Sequence, residues 1–402
     1  MALMPVAEAL EKVLAGVAPL PGETAPLGDA HGRVLAADLA ALRTQPPDDV
    51  SAMDGYAVRG ADVASVPAHL TVIGEVAAGR PFAGTVGAGE AARIFTGGVL
   101  PPGADTVVIQ EVTARDGDSV VVKSATSAGR NVRKRGLDFT AGTTLLRQGE
   151  RLTSRSLALA AAMDHPVVPV HRRPKVAMLA TGDELVAPGA PAGPGQIVYS
   201  NGFALGALIR QEGAELVDLG VVGDDLVVTA AAIERARQAG ADVLVTAGGA
   251  SVGEYDLVQR ALTSLGLKLS FWKVALRPGK PLLHGRLDAM RVLGVPGNPV
   301  SAFVCAFLFL IPLIRRLAGR TDLVPEPESA VLGTDLPAND ERQDYLRATL
   351  ALRDGKMVAA PFPIQDSSMV QPLAKADCLI IRAPYAPAAA AGSACAVVKL
   401  GL

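Results

Sequence analysis

The sequence predicts a multidomain protein of α/β plus β class, with a parallel-sheet α/β domain, an inserted β-rich domain and a C-terminal β-barrel-like domain. Two observations support this prediction. Between residues 174 and 318, apolar strand-like runs alternate with amphipathic helical stretches, which is typical of a parallel sheet covered by helices. Before and after that region, short β-type runs are separated by Gly, Pro and Asp. The length of 402 residues also favours several domains over one core.

The N-terminal part of the chain is predicted to be helical and then β-rich. Residues 5–17 and 28–40 have helical periodicity, and Pro5 suits the first turn of a helix. The run Pro46-Pro47-Asp48-Asp49 marks a boundary, after which β-type runs continue to about residue 138. Residues 140–170 are predicted to be helical again. We therefore predict an inserted β domain at 46–138 and a discontinuous helical linking domain formed by 1–45 and 139–172.

The next segment, 173–320, is the predicted α/β domain. Helical stretches are expected at about 201–212, 225–239, 256–265 and 299–317. Polar loops follow the strands at residues 181–184, 223–225, 246–256, 277–280 and 296–299. In sheets of this kind ligands bind beyond the carboxyl ends of the strands, so we expect these loops to converge on one site. Residues 321–402 form the predicted C-terminal β domain.

One of these loops, residues 246–256 with the sequence TAGGASVGEYD, indicates a phosphorylated ligand. Gly248 and Gly249 allow a tight turn and a close approach of the backbone to a ligand. A strand that leads through a Gly/Ser turn into a helix directs backbone N–H groups towards an anion. The acids Glu254 and Asp256 would repel a bare phosphate. They are consistent with a hard cation such as Mg²⁺ between the acids and the phosphate.

Composition and charge exclude several classes of protein. Lys and Arg together number 38 and Asp and Glu 40, a balance that argues against nucleic-acid and membrane-surface partners. Three widely spaced cysteines fit a reducing cytoplasm, and the first residues show no signal-peptide pattern. The longest apolar run, residues 301–314, is shorter than the ~20 residues that span a bilayer, so we predict a buried helix there.

The sequence lacks several familiar catalytic motifs. There is no G-x-x-x-x-G-K-[ST] phosphate loop and no G-x-G-x-x-G fingerprint in the α/β region. Residues 249–253, GASVG, have the spacing G-x-S-x-G, but no histidine is placed to activate Ser251. These observations argue against a P-loop NTPase, a Rossmann dehydrogenase and a serine hydrolase.

Six motifs occur in an order that resembles one known family. They are SAMDGYAV at 51–58, FTGG at 95–98, TGDEL at 181–185, GGASVGEYD at 248–256, FWKVALRPGKP at 271–281 and VPGNPVSA at 295–302. On these motifs the chain resembles the molybdopterin molybdotransferase family, which includes bacterial MoeA and the gephyrin E-domain. The match extends over nearly the whole chain and includes the order of the domains.

The resemblance implies a function, a cofactor and an assembly. The expected reaction takes adenylylated molybdopterin and molybdate, inserts molybdenum into the dithiolene, and releases AMP and molybdenum cofactor with the help of Mg²⁺. The expected assembly is a homodimer with its active site between the α/β domain of one subunit and the inserted β domain of the other. Other molybdenum cofactor biosynthesis proteins are further expected partners.

The resemblance also implies four catalytic carboxylates: Asp54, Glu184, Asp224 and Asp256. The last three come from different strand ends and are the expected metal ligands, since Mg²⁺ takes oxygen ligands from separate loops and keeps several waters. Each has an alternative structural role. Asp54 could cap a turn, Glu184 and Asp224 could be acids at helix N-termini, and one of the pair Asp224 and Asp225 is expected to be a helix cap.

The expected substrate-binding residues lie in the same motifs and in the C-terminal domain. Lys273, Arg277 and Lys280 form a plausible pocket for molybdate and phosphate dianions, or alternatively a solvated basic edge. Arg277 departs from the more usual lysine of the family, so the charge is kept but the geometry of the contact differs. Asn298 is also predicted to be a helix cap. The other expected contacts are Thr96, Gly248, Gly249, Ser251, Pro296, Arg347 and Ser367.

Two other functions are compatible with parts of the sequence. An enzyme that adenylylates molybdopterin would share the α/β domain and the glycine turn, but that family is usually shorter and lacks SAMDGYAV. A non-catalytic molybdopterin-binding or scaffolding protein would keep the fold while losing its acids and bases. Asp54, Glu184, Asp224, Asp256, Lys273 and Lys280 are all present, which favours the enzyme.

Overall fold

The computed structural model describes residues 3–248 and 257–401. Along the chain, these residues form four regions: an N-terminal segment, an inserted sheet, a central α/β domain and a C-terminal β-barrel. The predicted boundaries after residues 45, 138, 172 and 320 remain predictions.

The N-terminal segment is less helical than the sequence predicts. It contains helix α1 (Val6–Leu14), strand β1 (Gly22–Pro26), a 3-10 turn (Leu27–Asp29) and strand β2 (Leu39–Ala40). The helix predicted at 28–40 is therefore wrong. Gly32 has φ +75°, which interrupts a right-handed helix, and Val34 and Leu35 form β-bridges to Arg151 and Val170.

The inserted region is β-rich, as predicted. Its strands are β3 (Val50–Ser51), β4 (Gly55–Val58), β5 (Ala68–Val76), β6 (Glu90–Ile94), β7 (Thr106–Ile109), β8 (Thr113–Asp116), β9 (Ser119–Val122) and β10 (Val132–Arg133). Six of them form one sheet in the order β7-β4-β6-β5-β9-β8, and β3 pairs separately with β10. Strand β4 is central and fully buried, which fixes the loop that enters it.

The chain then returns to the first segment. Strand β11 (Thr144–Leu146) pairs with β2, helix α2 (Ser154–Ala162) follows, and strand β12 (Val167–His171) pairs with β1. Thr153 caps α2, because its side chain accepts the N–H of Ser156. The helix predicted over 140–170 is thus limited to its middle third. The flanking residues extend because they find strand partners in the N-terminal segment.

In its described residues, the α/β domain contains four helices or helical segments and nine strands, of which six form one sheet. Its strands are β13 (Lys175–Thr181), β14 (Leu185–Val186), β15 (Ile197–Val198), β16 (Glu215–Val222), β17 (Val243–Ala247), β18 (Lys268–Trp272), β19 (Leu276–Arg277), β20 (Leu283–Leu287) and β21 (Met290–Val295). Its helices are α3 (Asn201–Gln211), α4 (Leu226–Gln238), α5 (Leu257–Ser264) and the segment α6 (Pro299–Cys305), π-helical Ala306–Leu310 and α7 (Ile311–Leu317).

The predicted parallel sheet is confirmed for four of its six strands. The order is β16-β13-β17-β21-β20-β18, and the first four strands are parallel to one another. Strands β20 and β18 are antiparallel to their neighbours. The physical reason is the two-residue connection between β20 and β21, which is long enough only for a hairpin.

The apolar segment Pro299–Leu317 is a core helix. It is the one helix in the described residues that is long and apolar enough to cross a membrane by length and composition, with a mean hydropathy of 2.0. Within the fold, 83% of it is buried, so its apolar surface is used by packing. Phe307 and Leu313 share a cluster with Val245 of the sheet and Tyr345 of the C-terminal region. This shared core attaches the two regions to each other.

The C-terminal region forms a closed barrel, which confirms the predicted barrel-like domain. Its elements are β22 (Glu328–Leu332), β23 (Gln343–Arg353), β24 (Lys356–Pro361), α8 (Val370–Ala374), β25 (Cys378–Arg382) and β26 (Ala394–Lys399). The pairings run β23-β24-β22-β26-β25 and return to β23. Strand β19 of the preceding domain also joins β23, in parallel.

Candidate active site

A cavity of about 1050 Å³ lies at the carboxyl-terminal edge of the parallel strands. Its walls come from the loops after β13, β16, β17 and β21, as expected for a sheet of this topology. Residues from the loop before α8 complete the lining, so the barrel contributes one wall. Of the predicted site residues that the structure describes, five line the cavity: Glu184, Asp224, Gly248, Pro296 and Asn298.

Two of the three described carboxylates of the predicted catalytic set, Glu184 and Asp224, lie on adjacent loops. Glu184 follows β13 and Asp224 follows β16, and both are exposed to the cavity. Asp183 joins these loops, because its Oδ1 accepts the backbone N–H of Asp224 at 3.0 Å. Asp225 caps α4 by accepting the N–H groups of the helix's second and third residues. The structure thus assigns the cap to Asp225 and leaves the Asp224 carboxylate free for the cavity.

The glycine turn begins as the sequence predicts. Gly248 has φ +97°, and a Cβ there would lie 2.7 Å from the carbonyl oxygen of Thr181. Only glycine fits, because a side chain would collide with the backbone of the neighbouring strand end. The predicted contacts Gly249 and Ser251 and the predicted ligand Asp256 lie outside the described residues.

The 296–299 loop forms another wall of the cavity. Asn298 occupies the N-cap position of α6, but its side chain makes no cap hydrogen bond. The prediction that Asn298 caps the helix through its side chain is therefore wrong. Its Nδ2 instead donates to the Oγ of Ser367 at 2.8 Å, since that hydroxyl from the barrel lies within reach. Ser367 is thereby placed beside the cavity, and its neighbour Ser368 lines it.

The structure gives the guanidinium of Arg277 several partners in the barrel. Its guanidinium donates through Nε to Asp344 at 2.7 Å, through Nη1 to Asp340 at 2.9 Å and through Nη2 to Asn339 at 2.7 Å. The hydrogen bond to Asp344, and then the negative charges of Asp344 and Asp340, raise the pKa of Arg277. Because every nitrogen already has an acceptor in the barrel, Arg277 attaches the barrel to the α/β domain, and its anion contact remains a prediction.

Arg347 is also not a surface contact for substrate. It is 1% exposed and holds the loop before α8 from inside. Its Nε donates to Gln365 at 3.2 Å, and its Nη1 donates to the carbonyl oxygen of Asp366 at 2.8 Å. The prediction failed because burial in β23 turns the guanidinium towards the loop backbone. Its role is to shape the segment that carries Ser367 and Ser368.

The two predicted lysine contacts are not among the described residues that line the cavity. In the part of the chain that the structure describes, the lining includes Pro281 but neither Lys273 nor Lys280. The ammonium of Lys273 lies 4.7 Å from the centroid of the Trp272 ring, and its backbone has φ +103°. A non-glycine residue with that φ is strained, and such strain is concentrated at functional sites. The anion-binding role of both lysines remains a prediction.

Asp54 and Thr96 form a second polar site on the inserted sheet. Asp54 Oδ1 accepts the backbone N–H of Thr96 at 2.7 Å and its hydroxyl at 2.8 Å. The N–H first, and then the hydroxyl, lower the pKa of Asp54. Arg93 lies close by, with its guanidinium 4.8 Å from the centroid of Phe95. Among residues 3–248 and 257–401, the cavity lining contains no residue of the inserted sheet.

The fit of a divalent cation can be judged from the donors present. Glu184 and Asp224 supply carboxylate oxygens from separate loops, which is the donor type that Mg²⁺ prefers. Within the described ranges there is no group of three His, Cys, Asp or Glu side chains able to hold a metal ion. A cation at this edge would therefore need waters, phosphate oxygens or a further ligand such as the predicted Asp256.

Several residues at the cavity, among them three polar ones, were not singled out from the sequence. Tyr199 and Asn201 line the cavity, and Asp183 joins two of its loops. Burial raises the pKa of Tyr199 to about 12, so its hydroxyl stays protonated. Asp183 was detectable because it stands next to Glu184 at a strand end. Asn201 begins a helix 20 residues after β13, and no short-range pattern connects it to the site.

The fold and the cavity define a multidomain protein whose α/β domain has a ligand-binding type of cavity at the carboxyl ends of its parallel strands. Residues 4–163 match the family profile "MoeA N-terminal region (domain I and II)". Residues 177–316 match "Probable molybdopterin binding domain", and residues 329–400 match "MoeA C-terminal region (domain IV)". The chain belongs to the MoeA family of molybdopterin molybdenumtransferases.

Individual relatives are similar over most of the chain. A molybdopterin molybdenumtransferase of Nostoc sp. is 41% identical over 341 residues, covering 83% of this chain and 78% of the relative. That of Bacillus subtilis is 35% identical over 391 residues, covering 94% and 90%. The crystal structure of a molybdopterin biosynthesis MoeA protein from Pyrococcus horikoshii superposes with a TM-score of 0.84 at 32% identity, covering 99% of both chains.

Proposed function

We propose that this chain is a molybdopterin molybdenumtransferase that inserts molybdenum from molybdate into adenylylated molybdopterin and releases AMP. The observation that carries the proposal is the cavity in which Glu184, Asp224 and the glycine turn at Gly248 meet. Membership of a family whose curated relatives carry that enzyme's name supports the same reaction. The role in molybdenum cofactor biosynthesis follows from the family.

We propose that backbone, acidic and basic groups of this chain have different roles in the reaction. The backbone at Gly248 lines the cavity, and we propose that the substrate phosphate approaches it there. Glu184 and Asp224, on the loops after β13 and β16, provide oxygen ligands or proton acceptors. Bound Mg²⁺ would supply Lewis-acid stabilisation of phosphate charge at these carboxylates. Lys273 and Lys280 are proposed to attract molybdate and phosphate dianions.

We also propose a homodimer with a shared active site. Asp54 and Thr96 belong to the inserted sheet, whereas the cavity is built by the α/β domain and the barrel. A second subunit that brings its Asp54 to the cavity would complete the predicted catalytic set. Other molybdenum cofactor biosynthesis proteins are proposed as transient partners. We propose a cytoplasmic location, supported by three free cysteines, because reducing compartments keep thiols free.

The decisive experiment follows AMP release by the purified protein with adenylylated molybdopterin, Mg²⁺ and molybdate. We expect release that depends on molybdate and falls strongly in Glu184→Gln and Asp224→Asn variants. In a parallel assay that supplies molybdopterin and ATP, pyrophosphate formation would indicate an adenylyltransferase instead. Substrate binding with no AMP above the protein-free control, by folded protein, would indicate a non-catalytic binding protein and refute the proposal.

A further inference from the structure

The 296–299 loop has few backbone N–H groups that could form hydrogen bonds to hold it in place. Two of its four residues, Pro296 and Pro299, lack an N–H group, so the loop can donate only from Gly297 and Asn298. A cavity wall with so few backbone donors must be positioned by other groups if it is to keep one geometry. The structure supplies two side-chain amides for this purpose, one on each side.

On the barrel side, the amide belongs to Asn298. Its Nδ2 donates to the Oγ of Ser367 at 2.8 Å, and the backbone N–H of Val300 donates to the carbonyl oxygen of Ser367 at 3.1 Å. The barrel therefore fixes the end of the loop that leads into α6.

On the α/β side, the amide belongs to Asn201, the first residue of α3. Its Nδ2 donates to the carbonyl oxygen of Gly297 at 2.7 Å, across 96 residues of sequence. Gly297 in turn lies against the glycine turn, since a Cβ built on it would be 3.8 Å from the Cα of Gly248. Asn201, Gly297 and Gly248 all line the cavity.

We propose that Asn201 is a positioning residue of this active site. By holding the Gly297 carbonyl, it sets the distance between the 296–299 loop and the glycine turn, and so the width of the cavity where the phosphorylated substrate is proposed to bind. The inference rests on the proposed function for its substrate, while its geometric basis is the contact between Asn201 and Gly297.

The test uses two substitutions of Asn201 in the full-length protein. Asn201→Ala removes the amide. Asn201→Asp keeps the shape but cannot donate, and a carboxylate in the first turn of α3 stabilises the helix through its dipole. We expect kcat/KM for adenylylated molybdopterin to fall about 2- to 12-fold in both, the range for one lost hydrogen bond. Thermal unfolding of Asn201→Asp should stay near the wild-type temperature, because the gain at the helix dipole offsets much of the lost hydrogen bond.

Asn131 offers a matched control, because its Nδ2 donates to the carbonyl oxygen of Val107 at 2.9 Å within the inserted sheet. Asn131→Asp removes an equivalent bond and should keep wild-type kcat/KM. If Asn201 only stabilised α3, Asn201→Asp would be as active as the wild type, which would overturn the proposal. Loss in Asn201→Asp with none in Asn201→Ala would assign the effect to the added charge and also overturn it.

Binding of adenylylated molybdopterin, measured by calorimetry without molybdate, separates this inference from the proposed function. If the wild type binds but releases no AMP, the proposed reaction is wrong, and the affinities of the Asn201 variants still decide the positioning role. We expect both variants to bind more weakly by a similar factor. Wild-type affinity in both Asn201 variants, together with wild-type kcat/KM wherever turnover is measurable, would refute the positioning role of Asn201.

Discussion

Arg277 and Asp344 form a two-point ion pair that joins the α/β domain to the barrel. Nε of Arg277 donates to one carboxylate oxygen at 2.7 Å, and Nη2 donates to the other. Asp344 is 5% exposed, and the same two residues are paired in the parallel ladder between β19 and β23. A basic residue predicted to bind substrate is therefore a connection between two domains.

The first prediction concerns this ion pair. Arg277→Gln should lower the free energy of unfolding by about 1–3 kcal/mol, since it leaves the Asp344 carboxylate buried without its partner. Arg277→Lys should cost less because it keeps the charge, although it loses the paired geometry. Denaturant unfolding measures both. Molybdate affinity should be unchanged in Arg277→Lys, and weaker binding without loss of stability would support the anion-contact interpretation.

The second prediction concerns Asp54 and its donors. Thr96→Val removes the hydroxyl but keeps the backbone N–H, so the pKa of Asp54 should rise towards 3.8 without reaching it. A lowered carboxyl pKa stabilises the fold above 3.8, and that stabilisation is lost as the pH falls through the folded-state value. Carboxyl NMR titration measures the shift. Thr113→Val, which removes an exposed hydroxyl bound to the Gln110 carbonyl, should leave the Asp54 pKa as it is.

The third prediction separates strain from charge at Lys273. Lys273→Gly removes the strain of φ +103° and should raise the free energy of unfolding by about 1 kcal/mol. Lys273→Ala keeps that backbone strain and should not stabilise the protein. Both variants lose the ammonium and should bind molybdate and phosphate groups more weakly by about 1.5–3 kcal/mol. Calorimetry that finds unchanged affinity in both would remove Lys273 from the site.

The fourth prediction concerns a buried histidine outside the cavity. His284 is 2% exposed and packs on Phe271, and burial lowers its pKa to about 4. Within residues 3–248 and 257–401, neither of its ring nitrogens has a hydrogen-bond partner. The unfolded chain takes up a proton below about pH 6.5 while the folded state does not, so stability should fall as the pH is lowered from 6.5 to about 4.

The free energy of unfolding should fall by about 3 kcal/mol between pH 6.5 and 4, because each unit of difference between the two pKa values of His284 corresponds to about 1.36 kcal/mol. His284→Leu should flatten the dependence of unfolding free energy on pH across this window and be at least as stable at pH 7, since it removes an unpaired polar group. Denaturant unfolding between pH 4 and 7 measures this. An equally steep dependence in His284→Leu would assign the effect to other groups.

The fifth prediction tests the shared active site. Asp54→Asn and Asp224→Asn should each be inactive alone, and mixing them with subunit exchange should restore activity. Half of the dimers would be mixed and each would hold one intact site, so about a quarter of the wild-type activity is expected. Tagged subunits confirm the exchange. Exchange without recovered activity, or a monomer in solution, would contradict the shared site.

The sequence by itself determined the order of the domains and the loops that build the cavity. Glu184, Asp224 and Gly248 could be grouped from the sequence alone, because each follows a strand and parallel strands end at one edge. A capping role within the pair Asp224 and Asp225 was likewise expected from local chemistry, although only the fold showed that Asp225 performs it. The strand ends and the capping residue could be predicted because both depend on sequence patterns within a few residues.

Only the tertiary structure decided which side chains were already occupied by distant partners. Arg277 has the charge of an anion ligand, but its acceptors lie more than 60 residues away in the barrel. Asn298 has the chemistry of a cap, but a hydroxyl 69 residues later accepts its amide. Residues 28–40 have helical periodicity, but strand partners near residues 151 and 170 make them extend. Hydrogen bonds form between groups that the fold brings together, and local sequence does not encode which groups those are.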